Sequence, residues 1–333
     1  MAEPRLRVWL ARPLFEDVTA RLDAHFDVMR TSVEDRYPPA AVAEHLREVD
    51  GALVTLSEQI GAEEIAAAAR LRAIANVAVG YDNLDLPALT AAGVLVTNTP
   101  DVLTETTADF GFALLMATAR RITEAERWLR EGHWDRWSFD RMLGADLHGS
   151  TLGILGMGRI GQGIARRAAG FGMRVLYHNR KRLPVETEND CSRARYVGFN
   201  ELLSQVDHLM LVLPYTAQTH HVIDAAALAK MKPTATLVNL ARGGIVDEPA
   251  LADALAHGRL AAAGLDVYEG EPAVRPELLA LRNVVLTPHI ASASPATRRA
   301  MVALAVDNLI AALGCGPDAG RPSAPVNAEL LKR

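Results

Sequence analysis

The hydrophobic positions of the chain fall into short runs that alternate with longer Ala-rich stretches of helical spacing. In the first hundred residues, four of these runs have the length of a strand. Strands that alternate with helices form parallel sheets covered on both faces, so this region predicts a small α/β unit. The four predicted strands are Leu6–Leu10, Gly51–Leu56, Leu71–Val77 and Val94–Thr97.

A single long helical pattern, Asp101–Trp128, leads from this unit into a second alternation of strands and helices. The second alternation contains six predicted strands, which is the number in a complete dinucleotide-binding sheet. They are Thr151–Leu155, Arg174–His178, His208–Leu213, Ala235–Leu240, Ala262–Val267 and Val284–Thr287.

The last predicted helix, Pro295–Leu313, follows Pro288 and precedes an extended tail, and it has no sheet of its own. We therefore expect this helix to pack on the N-terminal unit. The predicted fold class is α/β, with two doubly wound parallel-sheet domains. Residues 1–101 and 289–333 would form one discontinuous domain, and residues 102–288 would form a second domain inserted in it.

Composition narrows the class of protein. Of the 333 residues, 50% are hydrophobic and 23% are charged, which is typical of a globular protein. The net charge of -5 gives no electrostatic reason to expect nucleic acid or an acidic membrane as partner. Only Cys191 and Cys315 are present, and neither an apolar leader segment nor a run of membrane-spanning length is found. These features predict a cytoplasmic protein of the size of a metabolic enzyme.

The segment Gly156-Met157-Gly158-Arg159-Ile160-Gly161 follows a predicted strand and opens a predicted helix. In that context a G-x-G-x-x-G pattern predicts a dinucleotide site. Gly156 permits the tight turn, Gly158 the approach of the pyrophosphate, and Gly161 the packing of helix on strand. Arg159 and Ile160 lie in this turn, just before the predicted helical stretch Gln162–Ala169, whose N-terminal N–H groups favour phosphate.

The end of the next strand predicts which dinucleotide is bound. NAD enzymes place an acidic residue there, whereas this chain has Asn179 followed by Arg180 and Lys181. The missing carboxylate removes repulsion of a 2′-phosphate, and the two cations attract it. NADP(H) is therefore the preferred cofactor, and a solvated basic turn in a protein that uses NAD(H) is the alternative.

Three polar segments follow strands of the second unit, at 238–244, 264–272 and 287–290. Ligands bind beyond the carboxyl ends of parallel strands, so we expect the chemistry there. The pair His220-His221 lies elsewhere in the sequence. Neighbouring residues rarely share one metal ion and no HExxH spacing is present, so no metal site is predicted.

Six motifs occur in an order that resembles a known family. Besides the glycine pattern they are Val79-Gly80-Tyr81-Asp82-Asn83, Asn98-Thr99-Pro100, Ala241-Arg242-Gly243, Glu269-Gly270-Glu271-Pro272 and Thr287-Pro288-His289. Over essentially its whole length the chain resembles the D-isomer-specific 2-hydroxyacid dehydrogenases. The segments Phe110–Arg120 and His178–Arg180 are most similar to the bacterial glyoxylate/hydroxypyruvate reductase and 2-ketogluconate reductase branch.

The resemblance implies a Rossmann cofactor domain inserted in a flavodoxin-like substrate domain. It also implies NADPH-preferring reduction of glyoxylate, hydroxypyruvate or 2-ketogluconate to the D-2-hydroxy acid. The family's catalytic Arg, Glu and His fall on Arg242, Glu271 and His289, where Glu271 is chosen over Glu269 because it directly precedes proline. The resemblance also implies that Val79, Gly80, Arg242 and His289 bind the substrate. It implies that Thr107, Leu240 and Asp266 bind the cofactor.

Trp134 and Trp137 follow the long helical pattern, and two tryptophans in a connecting segment suit an interface. In the resembling family this segment lies at the dimer contact, so a homodimer is expected, with packing inside one subunit as the alternative. Alternative hypotheses for the function of the whole chain are a 3-phosphoglycerate dehydrogenase, a phosphite dehydrogenase, or a nucleotide-sensing corepressor with the same fold. Phosphite dehydrogenases carry a lysine where this chain has Val79.

Overall fold

The computed structural model describes residues 5–32 and 37–332, which form two compact units. The first contains the described residues up to Leu103 together with those from Ala293 onward, and the second is Thr104–Ser292. These divisions fall a few residues after those expected at 101/102 and 288/289. The prediction that the N-terminal segment is not an apolar leader includes residues 1–4, which lie outside the described residues.

The first unit is built on a five-stranded parallel sheet with the strand order β2-β1-β3-β4-β5, which is the flavodoxin order. The strands are β1 Arg7–Leu10, β2 Asp27–Arg30, β3 Gly51–Val54, β4 Ala73–Asn76 and β5 Leu95–Thr97, and the helices among them are α1 Glu16–Thr19, α2 Pro39–Arg47, α3 Ala62–Ala67 and α4 Leu86–Ala91. The hydrophobic pattern did not predict β2. It is an edge strand that begins and ends with exposed charged residues, so it has no apolar run.

The second unit has seven parallel strands in the order β12-β11-β10-β9-β6-β7-β8. They are β6 Thr151–Leu155, β7 Arg174–His178, β8 Arg195–Tyr196, β9 His208–Leu211, β10 Thr236–Asn239, β11 Ala262–Leu265 and β12 Val284–Leu286. The six predicted strands are all present. The seventh, β8, is a two-residue edge strand that is too short to produce a periodic pattern. The predicted fold class is confirmed.

The helices of the second unit are α5 Thr104–Ala119, α6 Ile122–Arg130, α7 Arg159–Ala168, α8 Val185–Asp190, α9 Phe199–Gln205, α10 Ala225–Leu228, α11 Glu248–Ala256 and α12 Pro276–Leu279. The prediction of one helix over 101–128 is wrong, because Arg121 adopts a left-handed conformation with φ 55°. Its guanidinium bonds both carboxylate oxygens of Glu124 at 2.8 and 2.9 Å, which fixes the break.

The last long helix, α13 Pro295–Ala312, belongs to the first unit and packs against β3, β4 and β5, as expected. The approach is close at Gly51, where a Cβ would lie 2.8 Å from Leu313 Cδ1. The tail beyond it is pinned to β5, since Val326 N–H donates to Val96 O at 2.7 Å. It ends in a short 3-10 helix, Ala328–Lys332, where the sequence predicted only extended chain.

Among residues 5–32 and 37–332, no helix is both long and apolar enough to cross a membrane. The central strands of both sheets, β3, β4, β9, β10 and β11, are buried on both faces. Polar groups are therefore concentrated in the loops at the strand ends.

Candidate active site

The three predicted catalytic residues follow three adjacent strands of the second sheet. Arg242 comes three residues after β10, Glu271 six after β11 and His289 three after β12. Because β10, β11 and β12 are parallel neighbours, their carboxyl ends lie at one edge of the sheet. The topology thus brings to one edge residues that are 47 positions apart at the extremes of the sequence.

Glu271 and His289 form a hydrogen-bonded pair, with Glu271 Oε2 2.8 Å from His289 Nδ1. The other carboxylate oxygen accepts the backbone N–H of Tyr268 at 2.9 Å. Burial by itself would raise the pKa of Glu271, but the hydrogen bond and charge of His289, the Tyr268 N–H and the charge of Arg242 together lower it. With Nδ1 occupied, Nε2 is the ring nitrogen left for a substrate, and the His289 side chain is 30% exposed.

The backbone of His289 is left-handed, with φ 52°, and Asp266 holds it there. The Asp266 Oδ1 atom accepts Thr287 Oγ1 at 2.7 Å and Ile290 N–H at 2.9 Å, while Oδ2 accepts Ala291 N–H at 2.9 Å. Asp266 is fully buried, and this burial raises its pKa. Sequence reasoning assigned this residue to the cofactor and missed that its carboxylate shapes the histidine turn.

The loop that carries Arg242 touches the loop that carries Glu271. A Cβ on Gly243 would lie 1.8 Å from the carbonyl carbon of Tyr268 and 2.0 Å from Glu269 N, so only glycine fits between the two backbones. Asn239 also shapes this loop, because its side chain donates to Arg242 O at 2.9 Å and accepts Ala241 N–H at 3.0 Å.

Glu248 was not singled out from the sequence, although it anchors the same region. It is 2% exposed, and its Oε1 accepts the Glu269 N–H, so it tethers the segment leading to Glu271. Burial raises the pKa of Glu248, and Arg275 lies 3.3 Å from its Oε2. Its sequence position, three residues before a helical Leu, matches an ordinary first-turn glutamate and does not reveal this contact.

The glycine loop connects β6 to α7 as predicted. Gly156 has φ 101°, and a Cβ there would lie 2.7 Å from Leu213 N. A Cβ on Gly161 would lie 2.4 Å from Gly156 O. By contrast, a Cβ on Gly158 would meet nothing within 4 Å, so the protein itself does not require glycine at this position. The open space at Gly158, at the N-terminus of α7, fits the close approach of a dinucleotide phosphate.

Asn179 has a structural partner in the glycine loop. Its Oδ1 accepts the Met157 N–H at 2.7 Å, which ties the end of β7 to that loop. Arg182 pairs with the buried Glu188 at 2.7 Å, whereas Arg180 and Lys181 are exposed and form no ion pair among the described residues. Two of the three cations of this turn are therefore available to an anionic ligand.

Thr107 lies in the first turn of α5, and Leu240 directly follows β10. Thr107 is 5% exposed, and its Oγ1 has no hydrogen-bond partner within residues 5–32 and 37–332. Such an unpartnered buried hydroxyl fits a polar group of a bound ligand. Leu240 lies close to α5, since a Cβ on Gly111 would be 2.4 Å from Leu240 Cδ1.

His220, His221 and Glu269 form a cluster whose potential metal-ligating atoms lie within 4.8 Å of one another. The two imidazole rings stack with centroids 3.8 Å apart, and the ring planes are 23° from parallel. Two stacked rings direct their nitrogen lone pairs side by side instead of toward one point. His220 Nδ1 also bonds Tyr215 Oη at 3.1 Å, and His221 Nε2 bonds Glu269 at 3.2 Å. That this histidine pair binds no metal stays a prediction.

In the first unit, Val79 and Gly80 lie in the loop that follows β4 and are partly exposed. The segment after α6 exposes several large apolar side chains: Trp134 is 60% exposed and Trp137 74%, and Phe139 and Leu143 nearby are also exposed.

Residues 112–291 match the family model of the D-isomer specific 2-hydroxyacid dehydrogenase NAD binding domain. A glyoxylate reductase of Thermococcus onnurineus is 48% identical over 309 residues, which are 92% of each chain. A glyoxylate reductase of Thermococcus gammatolerans is 46% identical over 330 residues, 98% of this chain and 97% of that one.

Among solved structures, the NADPH-dependent glyoxylate/hydroxypyruvate reductase of Sinorhizobium meliloti, in complex with NADP and malonate, is 38% identical, with a TM-score of 0.86 over 97% of each chain. The chain belongs to the D-isomer-specific 2-hydroxyacid dehydrogenase family. It is an oxidoreductase that acts on a small molecule with a nicotinamide cofactor, which confirms the predicted family and enzyme class.

Proposed function

We propose that this enzyme reduces a small 2-keto acid, namely glyoxylate, hydroxypyruvate or 2-ketogluconate, to the D-2-hydroxy acid and prefers NADPH. The observation that carries the proposal is the Glu271–His289 pair at 2.8 Å, on the same sheet edge as Arg242. Relatives that bear the names glyoxylate reductase and glyoxylate/hydroxypyruvate reductase support the substrate class.

The catalytic roles follow from the chemistry of the three side chains. A bound nicotinamide supplies the hydride for the ketone carbon. Arg242 presents a planar fork of donors that holds the substrate carboxylate and polarises the ketone oxygen. His289 donates a proton from Nε2 to that oxygen as negative charge develops. Glu271, bonded at Nδ1, orients the ring and favours its protonated form.

The backbone N–H groups of Val79 and Gly80 are the proposed substrate contacts of the first unit. In the second unit, we assign the dinucleotide to the glycine loop, with its phosphates at Gly156, Gly158, Arg159, Ile160 and Gly161. Thr107, Leu240 and Asp266 are the further proposed cofactor contacts. The domain at 1–101 and 289–333 would thus bind substrate, and the domain at 102–288 cofactor.

The NADPH preference is supported by the turn after β7. Asn179 brings no negative charge, and the exposed Arg180 and Lys181 can bind the 2′-phosphate. We also propose a homodimer formed through the apolar surface around Trp134 and Trp137, because large exposed aromatic side chains are typical of interfaces. A cytoplasmic location fits the two free cysteines.

Steady-state kinetics test the proposal directly. The three 2-keto acids are each assayed with NADPH and with NADH, beside 3-phosphoglycerate and phosphite with both oxidised cofactors. The highest kcat/KM is expected for a 2-keto acid with NADPH. Dominant oxidation of phosphite or 3-phosphoglycerate would contradict it, and cofactor binding without turnover of any substrate would indicate a nucleotide-sensing protein.

A further inference from the structure

The loop after β4 is held by hydrogen bonds to three consecutive backbone carbonyls. Ala78 O accepts the backbone N–H of Thr99 at 2.9 Å. Val79 O accepts Asn98 Nδ2 at 2.8 Å, and Gly80 O accepts Asn76 Nδ2 at 3.0 Å. Two of the three donors are therefore asparagine side chains, one at the end of β4 and one just after β5.

These three bonds fix the direction of three N–H groups. In a trans peptide the carbonyl of one residue and the N–H of the next point in opposite directions. Tying the carbonyls of residues 78, 79 and 80 to the interior turns the N–H groups of Val79, Gly80 and Tyr81 the other way. No hydrogen bond from these three N–H groups is found among the described residues. The chain becomes accessible from Val79 onward, whereas Asn76–Ala78 are buried.

Asn76 is itself held in place by a second asparagine. Its Nδ2 also donates to Asn83 Oδ1 at 3.2 Å. The Asn83 side chain then donates to the carbonyls of Thr55 and Glu58 at 3.0 and 2.9 Å. Asn76 is fully buried and Asn83 is 5% exposed, so both amides are held in fixed orientations under the loop.

We propose that Asn98 and Asn76 are positioning residues that orient an anion-binding backbone loop, and that Tyr81 N–H is a third donor beside those of Val79 and Gly80. This inference rests on the proposed function, since the ligand it implies is the carboxylate of the 2-keto acid. Successive N–H groups that face one side of a loop form a site for an anion. The asparagines create this site without adding a charge to it.

The test compares variants of Asn98 with a matched asparagine. Asn98→Ala removes the donor to Val79 O, and Asn98→Asp replaces it with an acceptor of the same size. Asn327→Ala is the control, because Asn327 is buried in the same unit and donates to Val94 O at 2.9 Å, yet it does not contact the loop. The readouts are KM and kcat for glyoxylate, the melting temperature, and the affinity for oxamate, an unreactive analogue, with NADPH bound.

Without the bond from Asn98 to Val79 O, the Gly80 N–H of the same peptide loses its fixed direction. We expect Asn98→Ala to raise KM and the oxamate dissociation constant about tenfold, the value of one hydrogen bond from this N–H to a charged ligand. The kcat and the NADPH affinity should stay near wild type. Asn98→Asp should raise both further, because its charge repels the substrate. Asn327→Ala should lower only the melting temperature. Unchanged oxamate binding in both Asn98 variants, or an equal loss in Asn327→Ala, would overturn the inference.

The oxamate titration also separates this inference from the proposed function, because it requires no turnover. A wild-type protein that reduces no 2-keto acid would refute the proposed function alone. Weaker oxamate binding in the Asn98 variants would still support the positioning role in that case, and a wild type that binds no oxamate would refute it.

Discussion

The two units use the same architecture to deliver loops, yet the loops carry opposite kinds of chemistry. At the carboxyl edge of the second sheet, Arg242, Glu271 and His289 are partly exposed ionisable side chains. The loop after β4 in the first unit presents backbone N–H groups oriented by neutral amides. The topology of a parallel sheet fixes where such loops are, whereas the loop residues decide what they do.

Charged residues are also present at the edge of the first sheet, but they are committed to each other. Arg12 follows β1, and its Nε donates to Glu58 Oε1 at 2.7 Å, with both side chains buried. The Glu58 Oε2 atom accepts the backbone N–H of Thr55 at 2.8 Å. This pair therefore supports loop structure. Substitutions near the loop after β4 should change the KM for the 2-keto acid, whereas removal of His289 in the second unit should change kcat.

The largest expected effect comes from removing the proton donor. His289→Ala should lower kcat for glyoxylate reduction by about 10²–10⁴-fold, because general acid catalysis typically contributes that much. NADPH affinity, measured by fluorescence titration, should stay close to wild type. His257→Ala is the control, since His257 is exposed and pairs with Asp253. A kcat within a few-fold of wild type would show that His289 is not the proton donor.

Arg242→Lys tests whether geometry or charge matters at the same edge. Lysine keeps the charge but loses the planar fork, so one hydrogen bond to the substrate is lost. We expect kcat/KM to fall about 10–100-fold, the value of a hydrogen bond to a charged group. Arg259→Lys, at an exposed pair with Asp253, should have no effect. Equal kcat/KM in Arg242→Lys would show that only the positive charge acts.

The two units also differ in how far the sequence predicts them. The glycine loop could be predicted because its steric requirement is local. A side chain at Gly161 would meet the backbone of Gly156, and a side chain at Gly156 would meet the backbone of Leu213, just after the adjacent strand β9. The common sheet edge of Arg242, Glu271 and His289 could be predicted because each lies shortly after a strand of one parallel sheet, whereas their catalytic roles stay a prediction. The strands Asp27–Arg30 and Arg195–Tyr196 could not be predicted, because edge strands this short or this polar lack an apolar run.

The roles of the supporting residues could not be predicted for a different reason. The Asp266 carboxylate accepts hydrogen bonds from a turn 21–25 residues later in the sequence. The Asn98 side chain donates to a carbonyl 19 residues before it. In a sequence, a buried Asp or Asn after a strand is indistinguishable from a ligand contact or a loop cap. Only the positions of the carbonyl and N–H groups reveal which it is. The left-handed break at Arg121 is likewise invisible in an otherwise helical pattern.

Cofactor choice offers a smaller effect, confined to the second unit. Asn179→Asp combined with Arg180→Ala should raise the KM for NADPH about tenfold or more, because one charge-assisted contact to the 2′-phosphate is lost and repulsion is added. The KM for NADH should be equal or lower. Glyoxylate KM at saturating cofactor should not change. A wild-type enzyme that uses NADH better than NADPH would refute the assignment of this turn, although the dehydrogenase family would stand.

The smallest effect should come from Glu271→Gln, which alters the proton donor without removing it. The hydrogen bond and charge of His289 lower the pKa of Glu271, so the pair is a charge-assisted hydrogen bond. A neutral amide keeps the bond to Nδ1 but removes the negative charge beside the ring. The pH optimum for reduction should therefore move downward.

Glu271→Gln also changes how stability depends on pH. A carboxylate whose pKa is lowered on folding stabilises the protein above the ordinary glutamate pKa, and this contribution is lost as the pH falls through the lowered value. Wild type should thus lose stability in that acidic range more steeply than Glu271→Gln, which urea unfolding at several pH values measures. Glu269→Gln is the matched control, because Glu269 bonds His221 instead of His289. A downward shift of the optimum in Glu269→Gln and none in Glu271→Gln would transfer the role to Glu269.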